Sequence, residues 1–210
     1  MKGTVFAVAL NHQSQIDAWH EAFQQAPYRT PPLTPVWFIK PRNTVIGSQQ
    51  PIPFPVGEEV LSGGTLALVI GKTAHKVAAN EADAYIAGYV LANEVSLPET
   101  SFYRPAIKAK CRDGFCPLGD WAHPSNVGAL DIVTQINGQE VDRWSTGDLL
   151  RSAAQLLSAL SDFATLLPGD VILLGTPQHR VAIKPGDRVT ISADGFPSLE
   201  NTVVLSGEQI

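Results

Sequence analysis

The 210-residue sequence has only two cysteines, Cys111 and Cys116, with four residues between them. No second cysteine pair and no histidine cluster accompanies them. This pattern gives little support to a disulfide framework or to a zinc site. We expect two reduced thiols packed near a turn.

Long apolar runs are also absent. A membrane-spanning helix needs about 20 consecutive apolar residues, and no segment approaches that length. The opening run MKGTVFAVAL is interrupted by Asn11 and His12 and has no small-residue cleavage site, so it is interpreted as a first strand rather than a signal peptide. We expect a soluble, cytoplasmic protein.

Basic charge is scarce and scattered. Lys and Arg number 15 against 20 Asp and Glu, which gives a formal net charge of -5. No basic face is available for a phosphate backbone, and both GxGxxG and GxxxxGK[ST] loops are absent. We therefore expect no nucleic acid partner, and no phosphate-binding loop is indicated.

Short strands separated by Gly and Pro dominate the remaining pattern, and the length suits one domain over residues 1–210. Asn137-Gly138 predicts a tight hairpin, because both residues tolerate the left-handed backbone of a type I′ turn. The predicted strands are Val5–Leu10, Val36–Phe38, Leu66–Ile70, Ile132–Ile136, Val141–Trp144, Val171–Leu174, Arg188–Ala193 and Thr202–Leu205.

Two helices are predicted from a change to helical periodicity. One follows Ser145 or Thr146 as its cap and ends at Pro168-Gly169, with apolar residues recurring every three to four positions. The other begins at Asn80 and continues to Ala87 or beyond, because Glu81 and Asp83 favour the positive end of the helix dipole.

Residues 27–55 carry half of the sixteen prolines. Proline lacks the amide donor that a central strand needs, so this segment is expected to form loops and sheet edges. Many short strands need their edges covered. We therefore predict a mainly β fold with a few helices, in which the sheet is closed or rolled.

Six polar residues in apolar or turn contexts are candidates for a site. Each has an ordinary structural alternative, such as a solvated charge, an extended lysine stem or a turn cap. Several cations beside one carboxylate are nonetheless the polarity expected of a pocket for a small organic acid. The candidates are Lys40, Glu94, Arg104, Lys108, Lys110 and Thr176.

Seven motifs, spread over about residues 5–204, resemble the fumarylacetoacetate hydrolase family. They are WFIKPRNTVIG, LALVIGK, YIAGYVLANEVS, KAKCRDGFCPLGDW, LLPGDVILLGTP, IKPGDRVTI and GFPSLENTV. The resemblance implies the family's β-roll, assembled as dimers or as paired homologous halves.

Three stretches, two of which overlap these motifs, look like the amino-terminal half of the family's two-part isomerase/decarboxylases of aromatic catabolism. They are FAVALNH, FIKPRNTVIG and SFYRPAIKAKCRDGFCP. This likeness implies decarboxylation of 5-oxopent-3-ene-1,2,5-tricarboxylate and isomerisation of 2-hydroxyhepta-2,4-diene-1,7-dioate. It also implies a small di- or tricarboxylate ligand and a homologous second subunit or a homodimer as partner.

The resemblance further implies a divalent metal, Mg or Mn, held by a Glu-x-Glu pair and an Asp. In this sequence the pair falls on Gly63 and Thr65, and the Asp falls on Glu94. One carboxylate does not hold an oxygen-preferring ion firmly. The expected metal is therefore bound weakly or not at all, with Glu94 as a remaining ligand.

The family's acid–base pair is also altered. Its His and Glu positions fall on Gln15 and Ala18, and His12 is not the matching histidine. The Gly-Lys-Ser lysine corresponds to Lys110 and the Gly-Thr-Pro threonine to Thr176, which the resemblance assigns to binding a carboxylate or oxyanion.

The remaining candidates have less direct support. Arg104 and Lys108 are added for their nearness to Lys110, and Lys40 falls on a position where a structural role is equally compatible. Two hypotheses stay open. In one, the chain is an isomerase/decarboxylase with Lys110 as electrophile and Glu94 as base; in the other, it is a non-catalytic partner of a metal-competent homologue.

Overall fold

The computed structural model describes residues 3–124 and 126–206. Strand is the most abundant regular structure in this part of the chain. The strands are β1 Val5–Ala9, β2 Val36–Lys40, β3 Val45–Gly47, β4 Ile52–Phe54, β5 Val60–Ser62, β6 Gly64–Ile70, β7 Ile86–Asn93, β8 Cys116–Ala122, β9 Asp131–Ile136, β10 Gln139–Ser145, β11 Val171–Leu173, β12 Val181–Ile183, β13 Arg188–Ser192 and β14 Leu199–Leu205.

The helices of the described residues are short. The α-helices are α1 Gln13–Ala18, α2 His20–Phe23, α3 Ile107–Lys110 and α4 Ala153–Ser161, and the 3-10 helices are Arg42–Thr44, Ala79–Tyr85 and Thr146–Asp148. This composition confirms the predicted mainly β fold with a few helices.

Two mixed sheets form the framework. The larger has the order β2-β1-β11-β6-β7-β8-β3, and the second has the order β10-β9-β13-β14-β4, while β12 and β5 pair separately. Strand β1 runs parallel to β11, so the first strand of the chain lies beside a late one in the sheet.

Strand β6 lies at the centre of the larger sheet, and all seven of its residues are buried. The Trp144 indole Nε1 of β10 donates a hydrogen bond to the Gly64 carbonyl of β6 at 3.0 Å. A Cβ at Gly64 would meet Thr134 Oγ1 at 2.8 Å and Ile191 Cδ1 at 2.9 Å. A glycine is therefore required where β6 approaches the second sheet.

The proline-rich segment forms sheet edges, as expected. Strands β2 and β3 are the two outer strands of the larger sheet, and β4 is an outer strand of the second. The prolines of residues 27–55 therefore stay out of the central strands, where a missing amide would leave a carbonyl without its donor.

The predicted strands are confirmed to within a few residues, but both helices need correction. The helix after Ser145 does not begin there, because Ser145 caps only a 3-10 turn. The α-helix starts later, with Ser152 and Gln155 forming a capping box, and it ends at Ser161, before the predicted stop at Pro168-Gly169. The segment after Asn80 is a 3-10 helix that gives way to β7 at Ile86.

Strand β7 was not predicted because its sequence, IAGYVLAN, has little polar alternation. Its last four residues are all buried, and strands covered on both faces have no polar period. Both cysteines are free thiols, as expected. Among the described residues, no helix is both long enough and apolar enough to cross a membrane.

Candidate functional site: a buried charge cluster beside a narrow cavity

The candidate site lies where β7 ends and β6 begins. The Glu94 amide, directly after β7, donates to the Gly63 carbonyl at 2.8 Å. The side-chain Oδ1 of Asn93 accepts from the Gly63 amide at 3.0 Å and from Ser62 Oγ at 2.9 Å. These bonds hold position 63 beside Glu94, so the aligned positions of the family's ligands are neighbours here.

Glu94 is buried, with 4% of its surface exposed, and three cations surround its carboxylate. Lys40 Nζ lies 2.8 Å from Oε1. On the other oxygen, Oε2, Lys110 Nζ lies at 3.0 Å and Arg180 Nη1 at 3.2 Å. The carboxylate is thus the centre of the cluster.

Lys40 is almost fully buried, and backbone carbonyls hold its ammonium group. Its Nζ donates to the carbonyls of Val95, Lys110 and Phe115 at 2.6, 2.9 and 3.0 Å. Since an ammonium has three protons, its contact with Glu94 is an ion pair without a directed hydrogen bond, and Glu94 Oε1 has no hydrogen-bond partner. Burial lowers the pKa of Lys40, and the Glu94 charge opposes this shift.

A second carboxylate, Glu99, bridges two of the cations. Its Oε2 lies 3.0 Å from Lys110 Nζ and 3.3 Å from Arg180 Nη2. Lys110 Nζ also lies 4.5 Å from the centre of the Phe38 ring, and Arg180 Nη1 donates to Ser96 Oγ. Three cations therefore face two carboxylates, which leaves one net positive charge in the cluster.

The neighbouring cations decide the protonation state of Glu94. Burial alone would raise the pKa of Glu94, but the charges of Lys110, Lys40 and Arg180 outweigh it and lower that pKa well below its ordinary value. Opposite charges within about 4–6 Å favour the ionised form in this way. Glu94 is therefore an anion at neutral pH.

A narrow cavity of about 10 Å³ adjoins the cluster. It holds at most about one water molecule. Its polar walls include Gln15, Thr65, Glu94, Glu99, Lys110, Thr176 and Arg180. A larger cavity of about 380 Å³ shares Phe38, Glu99 and Lys110 with it. Glu99 and Lys110 thus stand between a charged chamber and a mainly apolar one.

Thr176 is brought to this cavity by the turn after β11. Gly175 has a φ of +109°, a backbone conformation that favours glycine. The Thr65 hydroxyl donates to the Gly175 carbonyl at 2.6 Å, and Gln15 Oε1 accepts from the Leu10 amide at 2.8 Å. Thr65 and Gln15, at one metal and one acid–base position of the resemblance, therefore anchor the backbone.

The remaining predicted residues lie farther out. Arg104 is exposed and lines the larger cavity. Lys108 has 83% of its side chain exposed and lies 3.8 Å from Glu58 Oε1 at the surface. The structure does not bring Lys108 to the charge cluster, and substrate binding by either residue stays a prediction.

His12 lies outside the charge cluster. Its Nδ1 accepts from the Ser14 amide at 3.1 Å as the cap of α1, and its ring packs edge-on against Trp144. Burial lowers the pKa of His12, against the opposing charges of Asp148 and Asp142. This placement agrees with leaving His12 out of the acid–base role.

The donor set does not fit a divalent cation. Gly63 has no side chain, the Thr65 hydroxyl is committed to Gly175, and Glu94 faces three cations. Magnesium and manganese need several oxygen ligands. No group of three or more His, Cys, Asp or Glu is placed to hold a metal within residues 3–124 and 126–206.

Arg180 and Glu99 were missed by the sequence reasoning. Arg180 sits in GTPQHR, the same motif that supplied Thr176, and it lies four residues after that threonine. Its position after the Gly-Thr-Pro turn was the available signal. Glu99 follows a proline in a loop, and its pairing depends on folding that no local pattern shows.

The comparisons with known proteins agree with this architecture. The family described as "Fumarylacetoacetate (FAA) hydrolase C-terminal" matches residues 4–204. The 4-hydroxyphenylacetate degradation bifunctional isomerase/decarboxylase of Escherichia coli is 71% identical over 204 residues, which is 97% of this chain and 48% of that protein. The chain thus spans about half the length of the curated relatives named in this way.

Solved structures of known proteins share this fold. The 2-hydroxyhepta-2,4-diene-1,7-dioate isomerase of Mycobacterium marinum superposes with a TM-score of 0.83 at 31% identity, covering 98% of this chain and 76% of that one. Maleylpyruvate hydrolase from Sphingobium sp. SYK-6, in complex with manganese(II) and pyruvate, gives a TM-score of 0.77 at 26% identity, covering 97% and 70%.

Proposed function

Because the chain belongs to the fumarylacetoacetate hydrolase family, we propose that it acts as an isomerase/decarboxylase domain in 4-hydroxyphenylacetate catabolism. Its substrates are 5-oxopent-3-ene-1,2,5-tricarboxylate, which loses CO2, and 2-hydroxyhepta-2,4-diene-1,7-dioate, which is isomerised. The names of relatives about 70% identical support this choice. Residues 1–210 act as one domain in this proposal.

The observation that carries the proposal is the grouping of Lys110, Arg180 and Thr176 on one cavity, with one net positive charge in the cluster. Both reactions pass through an extended enolate, whose charge collects on the oxygen next to the acid group. Fixed donors aimed at developing charge lower such barriers. Lys110 is the electrophile in this proposal.

Glu94 fits an electrostatic role better than a proton-accepting one. A general base works best when its pKa lies near the operating pH, and the pKa of Glu94 is well below that range. Its carboxylate instead orders Lys40, Lys110 and Arg180 around one point. We therefore assign Glu94 to positioning the cations.

A divalent metal is plausible for the family, since a neighbour contains manganese(II). For this chain we propose that metal is bound weakly or not at all, because the aligned ligand positions lack carboxylates at Gly63 and Thr65. No step of the reaction is assigned to a metal. A cytoplasmic location, without a nucleic acid or membrane partner, belongs to the same proposal.

The test is turnover of both substrates by the purified chain, with and without added magnesium. Lys110→Met should abolish turnover, whereas Lys72→Met, at an exposed position, should leave it unchanged. A wild-type chain that turns over neither acid under any of these conditions contradicts the proposal.

A second function is favoured by the substitutions at Gly63, Thr65, Gln15 and Ala18. In this alternative the chain is a non-catalytic partner of a metal-competent homologous half. The chain covers only about half the length of its relatives, which is compatible with such pairing. Mixing the two chains distinguishes the alternatives: activity that disappears when the homologue's ligands are mutated supports the partner role, and activity that persists excludes it.

A further inference from the structure

We infer that Arg180 supplies, through a two-pronged guanidinium, the fixed positive charge that holds the acid end of the substrate, in the place that a divalent ion takes in metal-dependent relatives. This inference rests on the proposed function and names the residue that recognises a 2-oxo acid at that site.

The first support is steric. A Cβ at Gly63 would come within 3.2 Å of Arg180 Cδ and 2.9 Å of Thr176 Cγ2. The stem of Arg180 therefore runs through the space that a longer side chain at position 63 would need. A side chain at position 63 would therefore require Thr176 and Arg180 to shift from their observed places.

The second support is electrostatic. Arg180 and Lys110 contact the same oxygen of Glu94, and both also reach Glu99. Without Arg180, two cations would balance two carboxylates and no net charge would remain for a ligand. With Arg180, the cluster keeps the single positive charge that an anionic substrate needs.

The third support is the arrangement around Glu99. Its carboxylate is held between Lys110 Nζ at 3.0 Å and Arg180 Nη2 at 3.3 Å, at the boundary between the narrow and the larger cavity. Glu99 therefore occupies the position where a substrate carboxylate would bind. An incoming acid takes over these donors from Glu99.

Guanidinium chemistry suits this task. It stays ionised at any physiological pH, and its parallel N–H groups match two adjacent oxygens. The ligand class is therefore a 2-oxo acid or its enolate, in which a carboxylate oxygen and the neighbouring oxo oxygen lie side by side. The step is binding only, and no proton or electron passes to Arg180.

The test uses oxalate, whose adjacent oxygens imitate a carboxylate beside an enolate oxygen. Calorimetric titration of the full chain in EDTA should show binding. Arg180→Gln should weaken it at least roughly tenfold, because it removes charge-assisted hydrogen bonds, and added manganese should not restore it. The matched control Arg188→Gln, at an exposed position of β13, should bind as the wild type does.

Arg180→Lys keeps the charge but lacks the paired N–H groups. It provides a second test in case the Arg180→Gln variant does not fold. It should bind oxalate several-fold less tightly. Oxalate binding that is absent in EDTA and appears with manganese overturns the inference, as does unchanged affinity in Arg180→Gln or Arg180→Lys.

Two outcomes separate this inference from the proposed function. A chain that turns over its substrates but binds oxalate only with manganese keeps the function and loses the inference. A chain that binds oxalate through Arg180 in EDTA but turns over neither substrate keeps the inference and loses the function.

Discussion

Arg180 lies directly against Gly63, so that a Cβ on the glycine would come within 3.2 Å of the arginine Cδ. The family resemblance places a metal-binding carboxylate at position 63. In this chain a cation packs against the position instead, and it pairs with the remaining carboxylate, Glu94, at 3.2 Å. Where the resemblance gives the family an acidic residue, this chain thus has Gly63, with the cation of Arg180 packed against it.

Gly63→Ala should destabilise the fold and disturb the cluster. Its methyl group would meet Thr176 Cγ2 at 2.9 Å and the Glu94 carbonyl at 3.2 Å. Overpacking of this kind costs about 1–3 kcal/mol. Urea unfolding measures the loss, and Gly128→Ala, whose Cβ has an ordinary 3.5 Å neighbour, should cost much less. Equal stability of the two variants would contradict the packing argument.

Lys40→Met should be among the most destabilising substitutions in the cluster. It leaves the carbonyls of Val95, Lys110 and Phe115 without their donor and removes one counter-charge from Glu94. Breaking a buried ion pair in this way costs about 3–5 kcal/mol. Denaturant unfolding provides the measurement, with exposed Lys72→Met as a control that should change stability by less than about 0.5 kcal/mol.

Glu94→Gln should remove part of the acid sensitivity of the fold. Because the folded-state pKa of Glu94 is lowered from 4.5, the stability that its charge contributes is complete above that value and falls as the pH drops towards the folded pKa. The variant should be less stable than the wild type at pH 7, and the difference should shrink between about pH 5 and pH 3. Unfolding at several pH values tests this, and a constant difference would refute it.

Local patterns were sufficient for much of the fold. Asn137-Gly138 gave the β9–β10 hairpin, since both residues have positive φ as the turn requires. The prolines of residues 27–55 correctly indicated that this segment forms sheet edges. Strand β7 was missed because successive residues in its second half are all buried, which leaves no polar period. The helix start was misplaced because Ser145 and Ser152 are both capping residues.

The candidate site could be predicted only in part. Lys110, Glu94 and Thr176 lie in recognisable motifs, and the fold brings them to one cavity. Arg180 and Glu99 are separated by 81 positions, and only the packing of the loop after β11 against the loop after β7 joins them. The spacing of charged residues along a chain does not predict such a contact.

Glu99→Gln should tighten the binding of oxalate. The wild-type carboxylate competes with a ligand for Lys110 and Arg180, and a neutral amide competes less because charged hydrogen bonds are about twice as strong. We expect a Kd several-fold lower in EDTA by calorimetry. Glu59→Gln, at an exposed position, is the matched control; weaker binding by Glu99→Gln would show that Glu99 supports the ligand rather than competing with it.

Rebuilding the family's carboxylates should show that Arg180 and a metal compete for one place. In Gly63→Glu/Thr65→Glu, the new Glu at 63 would collide with Arg180 and pair with it, so manganese should bind weakly. Adding Arg180→Leu removes the cation that packs against position 63. It leaves two new carboxylates without that competitor beside Glu94, which stays paired with Lys40 and Lys110, and oxygen ligands of this kind are the ones that such an ion accepts.

Manganese binding, followed by calorimetry or by the loss of the free-ion electron paramagnetic resonance signal, should therefore be at least roughly tenfold tighter in the triple variant. Arg188→Leu in place of Arg180→Leu is the control, and it should leave binding as in the double variant because Arg188 is exposed on β13. If the double variant already bound manganese as tightly as the triple, Arg180 would not stand where the ion needs to be. Arg180 would then be a neighbour of the site rather than the replacement for its metal.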